Sequence, residues 1–178
     1  MYGGNLMDFF KFCQKCKNSV CCSKPFYAFV IEREYEKIIK FCKEKKISID
    51  MDKVFLDFAS NSSNGSKNYL ISKKDTGQCI FLGPDKRCLI EEVKPLDCLF
   101  WPLTFDYSAD ANQIIIYLGD CLFVREIKKT KLLKNWIETQ KTNILKGISN
   151  YSKADLIAYT TLPNIFSCKK LSIVALNS

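Results

Sequence analysis

The chain has 178 residues, 47% of them hydrophobic and 26% charged, with a formal net charge of +8 at neutral pH. That balance is too apolar for a disordered chain, and the length suits one domain, or one domain with a helical extension. There are ten cysteines and no histidine, which excludes Cys/His zinc fingers, histidine general bases and histidine-ligated clusters together.

Apolar runs such as residues 114–118 and 173–176 are far too short to span a bilayer, and the first residues lack the basic region and apolar run of a secretory signal. A cytoplasmic protein with no membrane segment is therefore expected. In that compartment thiols stay reduced, so metal binding explains ten cysteines better than a disulfide framework does. The positive charge is almost wholly lysine spread along helix-like segments, which reads as solvated surface rather than as a nucleic-acid interface.

In chain order, residues 1–12 form a lead-in whose Phe9, Phe10 and Phe12 are expected to cover a cysteine loop. That loop carries Cys13, Cys16, Cys21 and Cys22, four thiols too close in sequence to share one apolar interior. Its C-x-x-C pair lets two thiolates reach one ion. Residues 26–31 read as a brief strand and 32–46 as a helix with Tyr35, Ile38, Ile39 and Cys42 on one face. Cys42 is thus a core residue by position. A short apolar helix, capped by Asp50 or Asp52, is expected within 47–59, and 60–66 is a polar loop. Strands are expected at 69–73 and 78–82, the second turning through 83–87 so that Cys79 and Cys88 meet at the ends of a hairpin-like unit.

Pro95 opens a single helical turn that carries Cys98 and stops at Pro102. Residues 103–107 and 113–118 alternate as a hairpin that delivers Cys121. From Glu126 the pattern is helical, with a stripe of Leu132, Leu133, Trp136, Ile137, Ile144, Leu145 and Ile148 read as core packing. A short helix opened by Ser152 follows, and the tail holds Cys168 and a strand-like end. No internal repeat is visible.

Taken together, Cys13-x2-Cys16-x4-Cys21-Cys22, Cys79-Ile80-Phe81-Leu82, Cys88-Leu89-Ile90 and Lys94-Pro95-x2-Cys98-x3-Pro102 resemble the YkgJ-type cysteine-cluster proteins, a family described as zinc- or iron-chelating. The resemblance covers residues 13–121, about three-fifths of the chain. Lys94 stands where the family usually has arginine and Glu91 where it usually has tyrosine. It implies eight candidate metal ligands: Cys13, Cys16, Cys21, Cys22, Cys79, Cys88, Cys98 and Cys121. Larger relatives that look like flagellin lysine methylases carry the same cysteine pattern with a 4Fe-4S cluster, so by resemblance such a cluster is possible here. Nothing outside the motif identifies a methyl-donor or lysine pocket.

Eight thiols could make two four-thiolate zinc sites, one 4Fe-4S cluster beside four other thiols, or a mixture. The single C-x-x-C pair, the dispersed remaining cysteines and the nearby aromatics (Phe81, Phe100, Trp101) favour iron–sulfur over Zn2+. The expected fold is α+β: a small, irregular, cysteine-rich metal-binding domain with short β-hairpins over 1–125, with a helical extension, 126–178, packed on the same core. The expected function is metal binding with a redox or accessory role in a modification pathway and another protein as partner. The alternatives are a structural zinc module contacting protein or nucleic acid, and a lysine methylase-like enzyme using the cluster. No catalytic residue is named. Asp97 and Asp120 read as capping groups before acid–base ones, and Lys94 and Arg87 as charge around the site.

Overall fold

The computed structural model describes residues 15–16, 20–23, 25–58, 67–128, 132–162 and 168–176. The aromatic lead-in, Cys13 and the polar loop 60–66 lie outside the described residues. The architecture is mixed α+β, with two small antiparallel three-stranded sheets and several helices.

The first sheet has the order β1 (Phe29–Ile31), β3 (Asn68–Ile71), β2 (Phe55–Phe58), with Val30 opposite Tyr69 and Leu56 opposite Leu70. Segment 47–59, expected as a helix, instead makes one 3-10 turn, Met51–Lys53, and then enters β2. The Asp50 carboxylate does cap that turn by accepting the Asp52 amide. The run Val54-Phe55-Leu56-Asp57-Phe58 is β-branched or aromatic at most positions, and it is satisfied as an edge strand on β3 rather than by a second helical turn. Residues 78–82, expected as a strand, form only isolated bridges and tight turns.

Helix α1 (Glu32–Glu44) buries Ile38 and Cys42, with Tyr35 and Ile39 half-buried on the same side. Helix α2 (Leu96–Phe100) follows Pro95. Strands β4 (Leu103–Ser108) and β5 (Gln113–Gly119) pair across a turn where Asn112 has positive φ and accepts a hydrogen bond from the Tyr107 hydroxyl. The strict in–out burial of β4 matches its alternating sequence. Helices α3 (Leu122–Ile127), α4 (Leu132–Ile148) and α5 (Lys153–Thr160) follow, and β6 (Cys168–Ala175) returns antiparallel to β5. Ser152 and Asp155 close a capping box at the start of α5.

Two main apolar clusters fill the interior, and β1 divides them. Phe29 and Ile31 face the larger one with Phe100, Phe105, Ile116, Ile144, Leu156 and Tyr159. Ala28 and Val30 face the smaller one with Ile38, Val54, Ile71, Phe81 and Ile90. A strand buried on both faces reads as a continuous apolar run, as 28–31 does. A third, small cluster of Phe123, Val124 and Ile127 lies under α4.

Helix α4 crosses α2 at Gly147, where a Cβ would stand 2.6 Å from Phe100 Cζ and 2.7 Å from Leu96 Cδ2. Gly147→Ala should therefore destabilise by about 1–3 kcal/mol despite the better helix propensity of alanine. Chemical denaturation of the two proteins checks the sign.

Candidate metal centre

Three cysteines, Cys79, Cys88 and Cys98, pack on the smaller core, and a fourth, Cys22, is tied to the first of them through the backbone. Cys22 ends the 3-10 turn Val20–Cys22, and its carbonyl accepts the Cys79 amide at 2.6 Å. Next to this contact, Ser23 bridges Gln78. Cys79 and Cys88 sit in two matching turns. The carbonyl of each accepts the amide three residues on, Leu82 at 3.0 Å and Glu91 at 3.2 Å. The sulfur of each accepts the amide two residues on, from Phe81 and from Ile90. The turns are joined by the Leu82–Cys88 bridge and by the Leu89 amide on the Phe81 carbonyl at 2.9 Å. Cys98 comes from α2, where its amide bonds the Pro95 carbonyl at 3.0 Å. Cys79, Cys88 and Cys98 all pack against the same apolar cluster.

The thiols feel one another electrostatically. Burial pushes Cys98 well above the usual thiol range, and the nearby Asp97, Cys79, Cys88 and Cys22 push it further. Cys88 is pushed up to about 12 by burial, against the opposing pull of Lys94 and the Ile90 amide. Burial likewise raises Cys79, opposed by Lys73 and the Phe81 amide. Cys22 differs: a hydrogen bond from the Cys21 thiol, at 4.0 Å, holds it down to about 7 in spite of burial, with Lys73 and Lys94 assisting. Burial thus opposes ionisation at Cys79, Cys88 and Cys98, while the Cys21 thiol favours it at Cys22.

Of the other candidates, Cys121 packs on the small third cluster, and Cys16 is the thiol whose charge it feels. The Cys16 carbonyl accepts a hydrogen bond from Lys86 Nζ at 3.3 Å, which ties that loop to the 83–87 turn. Cys42 is buried behind α1, and Cys168 is on β6, half-buried. Among the described residues, no three Cys, Asp or Glu side chains are closed tightly enough to grip an ion. The donor chemistry of Cys22, Cys79, Cys88 and Cys98, soft sulfurs with amides aimed at two of them, suits a thiophilic centre. No described protein family, curated protein or solved structure matches this chain.

The carboxylates near the site fasten it. Asp97 is buried, accepting the Phe29 amide at 2.9 Å and the Tyr159 hydroxyl at 2.7 Å, and burial raises it to about 6. Asp120 pairs with Arg125 on the surface at 2.5 Å. Glu34 was not singled out in the sequence, although it stands at the third position of α1, where a carboxylate can reach back to the helix start. It accepts the Ile31 amide at 3.3 Å and the Leu96 amide at 2.9 Å, and so caps α1 and α2 together.

Burial pushes Glu34 up to about 7 from 4.5, outweighing the amides of Leu96 and Ile31. A carboxyl raised on folding favours the native state fully below its unfolded value, and that contribution is lost as pH rises through the folded one. Wild-type stability should therefore fall between about pH 5 and 8, with up to about 3 kcal/mol of the loss due to Glu34. Glu34→Gln should start less stable, since one amide loses its acceptor, and its curve should be flatter. Urea midpoints at the two pH values test this, with Asp97 leaving a smaller slope of the same sign.

Proposed function

We propose that this chain is a metal-binding cysteine-cluster protein of the YkgJ type. It holds a 4Fe-4S cluster through Cys22, Cys79, Cys88 and Cys98 and serves a redox or accessory role towards another protein in the cytoplasm. The observation that carries the reading is the packing of Cys79, Cys88 and Cys98, from two turns and α2, on one apolar cluster, with the Cys22 carbonyl bonded to the Cys79 amide. When bound, such a cluster supplies one-electron transfer. The chain's own part is to present sulfur, to aim the Phe81 and Ile90 amides at two of those sulfurs, and to keep water away with the fully buried Phe81.

The matching turns at Cys79 and Cys88 favour a second reading. Amides pointing at sulfur from a tight turn also suit a four-thiolate Zn2+ site, which would be structural because it has no open position. Protein purified without oxygen, then assayed for iron, sulfide and zinc, decides between the two. Iron and sulfide in equal amounts with a broad absorption near about 400 nm support the cluster. Zinc alone supports the structural module. No metal as purified, and none after reconstitution with either, removes both.

A further inference from the structure

Neighbouring side chains on a 3-10 turn stand about a third of a turn from each other and ordinarily diverge. In the turn Val20–Cys22 two of them stay together: the sulfurs of Cys21 and Cys22 lie 4.0 Å apart, and both residues are partly exposed. A bond between them needs that separation to fall to about 2.05 Å, which asks for side-chain rotation and a local change in the turn. Adjacent α-carbons are only about 3.8 Å apart, closer than in an ordinary disulfide, so the ring that forms is strained and readily reduced again. The same turn is fastened to the thiol-bearing flank. The Cys22 carbonyl holds the Cys79 amide at 2.6 Å, and Ser23 bridges Gln78. A change in the turn is therefore felt at Cys79.

We propose that Cys21 and Cys22 are a reversible redox-modification site, at which a disulfide between neighbours withdraws Cys22 from the thiol centre. The withdrawal rests on the metal-binding reading above, and the disulfide itself does not. The oxidant is a low-molecular-weight disulfide of the glutathione class. One cysteine thiolate attacks it, forms a mixed disulfide and releases one small thiolate. The other cysteine thiolate attacks the protein sulfur of that mixed disulfide and releases the second. Two protein S–H bonds thus become one S–S bond, the small disulfide takes up the electron pair, and the cysteine protons end on the two released thiols.

Trypsin should release residues 18–33 as one peptide, because Lys24 precedes Pro25, and its only cysteines are Cys21 and Cys22. The metal-free full chain is treated with oxidised glutathione, its remaining thiols are alkylated, and the digest is weighed by mass spectrometry. The wild-type peptide should be lighter by two hydrogens, carry neither alkyl group nor glutathione, and regain its mass with dithiothreitol. Cys21→Ser should stop at the mixed disulfide, with glutathione on Cys22, since no neighbour resolves it. If that variant does not fold, the wild-type masses carry the test alone. Protein loaded with Zn2+, an ion with no redox chemistry, should form the disulfide about tenfold more slowly, since Cys22 must first leave the metal. A wild-type peptide that stays doubly alkylated, keeps glutathione or is cross-linked to another peptide overturns the proposal. So does disulfide formation at one rate with and without bound Zn2+, which leaves the metal reading intact. A reduced wild type that binds neither Zn2+ nor a reconstituted cluster removes the metal reading, and the peptide mass still decides the disulfide.

Discussion

Cys98→Ser is expected to abolish metal retention and to erase the stability difference between metal-loaded and metal-free protein. Cys98 packs on the same apolar cluster as Cys79 and Cys88, and Cys22, Cys79 and Cys88 all act on its ionisation. A hydroxyl is a poor ligand for a soft metal, and three thiolates do not complete a closed site. Binding to a structural four-thiolate site is worth on the order of 10 kcal/mol and is coupled to folding, so most of that difference should vanish. In metal-free protein the same change should cost only about 1 kcal/mol, because a small thiol becomes a hydroxyl with no cavity left. Metal content by elemental analysis and thermal melting with and without metal check this. Cys168→Ser, on β6, should keep wild-type metal content. Loss of metal in both variants, or in neither, would contradict the grouping of thiols described above.

The second large effect is expected at Asp97. Its two oxygens join the Phe29 amide in β1 to the Tyr159 hydroxyl in α5, from a position one residue before Cys98. Asp97→Ala leaves that amide without its acceptor inside the protein and removes one partner of the hydroxyl, which keeps Thr104 at 2.8 Å. A loss of about 3–4 kcal/mol follows. Asp97→Asn preserves shape and one acceptor, and the tyrosine hydroxyl can turn to accept from the new amide, so about 1–2 kcal/mol is expected. Equilibrium denaturation of the pair distinguishes a fastening role from a catalytic one. A fastener costs stability in proportion to lost hydrogen bonds, and a group needed only for chemistry costs little.

Much of this was legible locally. The alternation of 103–107 and 113–118 specified the β4–β5 hairpin, and Ser152 specified the start of α5. The spacing of Ile38 and Cys42 placed the latter on the buried face of α1. Segment 47–59 was misread because Asp50 carries a true turn signal, while the choice of strand after it depends on β3, a partner across a loop. At 78–82 the apolar residues suit a strand, but the Cys79 and Ile80 amides go to two different segments, at Cys22 and Ser72, while the Phe81 amide serves the Cys79 sulfur and the Leu82 amide turns back to the Cys79 carbonyl.

The association of Cys22 with Cys79, Cys88 and Cys98, and of Cys16 with Cys121, was not legible, because it follows from how distant segments pack. Lys73 escaped for the same reason: it lies six residues before Cys79 in sequence and directly opposite it in the bridge. Glu34 serves one helix start nearby and another more than sixty residues away, and only the nearby one leaves a trace in the chain.

The placement of β1 has a last consequence. Phe29 to Ile31 acts as a party wall: whatever slackens one apolar compartment removes the backing of the other. The thiol-bearing flank and the C-terminal helices thereby share one wall, so a change in packing on either side is passed to the other through three residues.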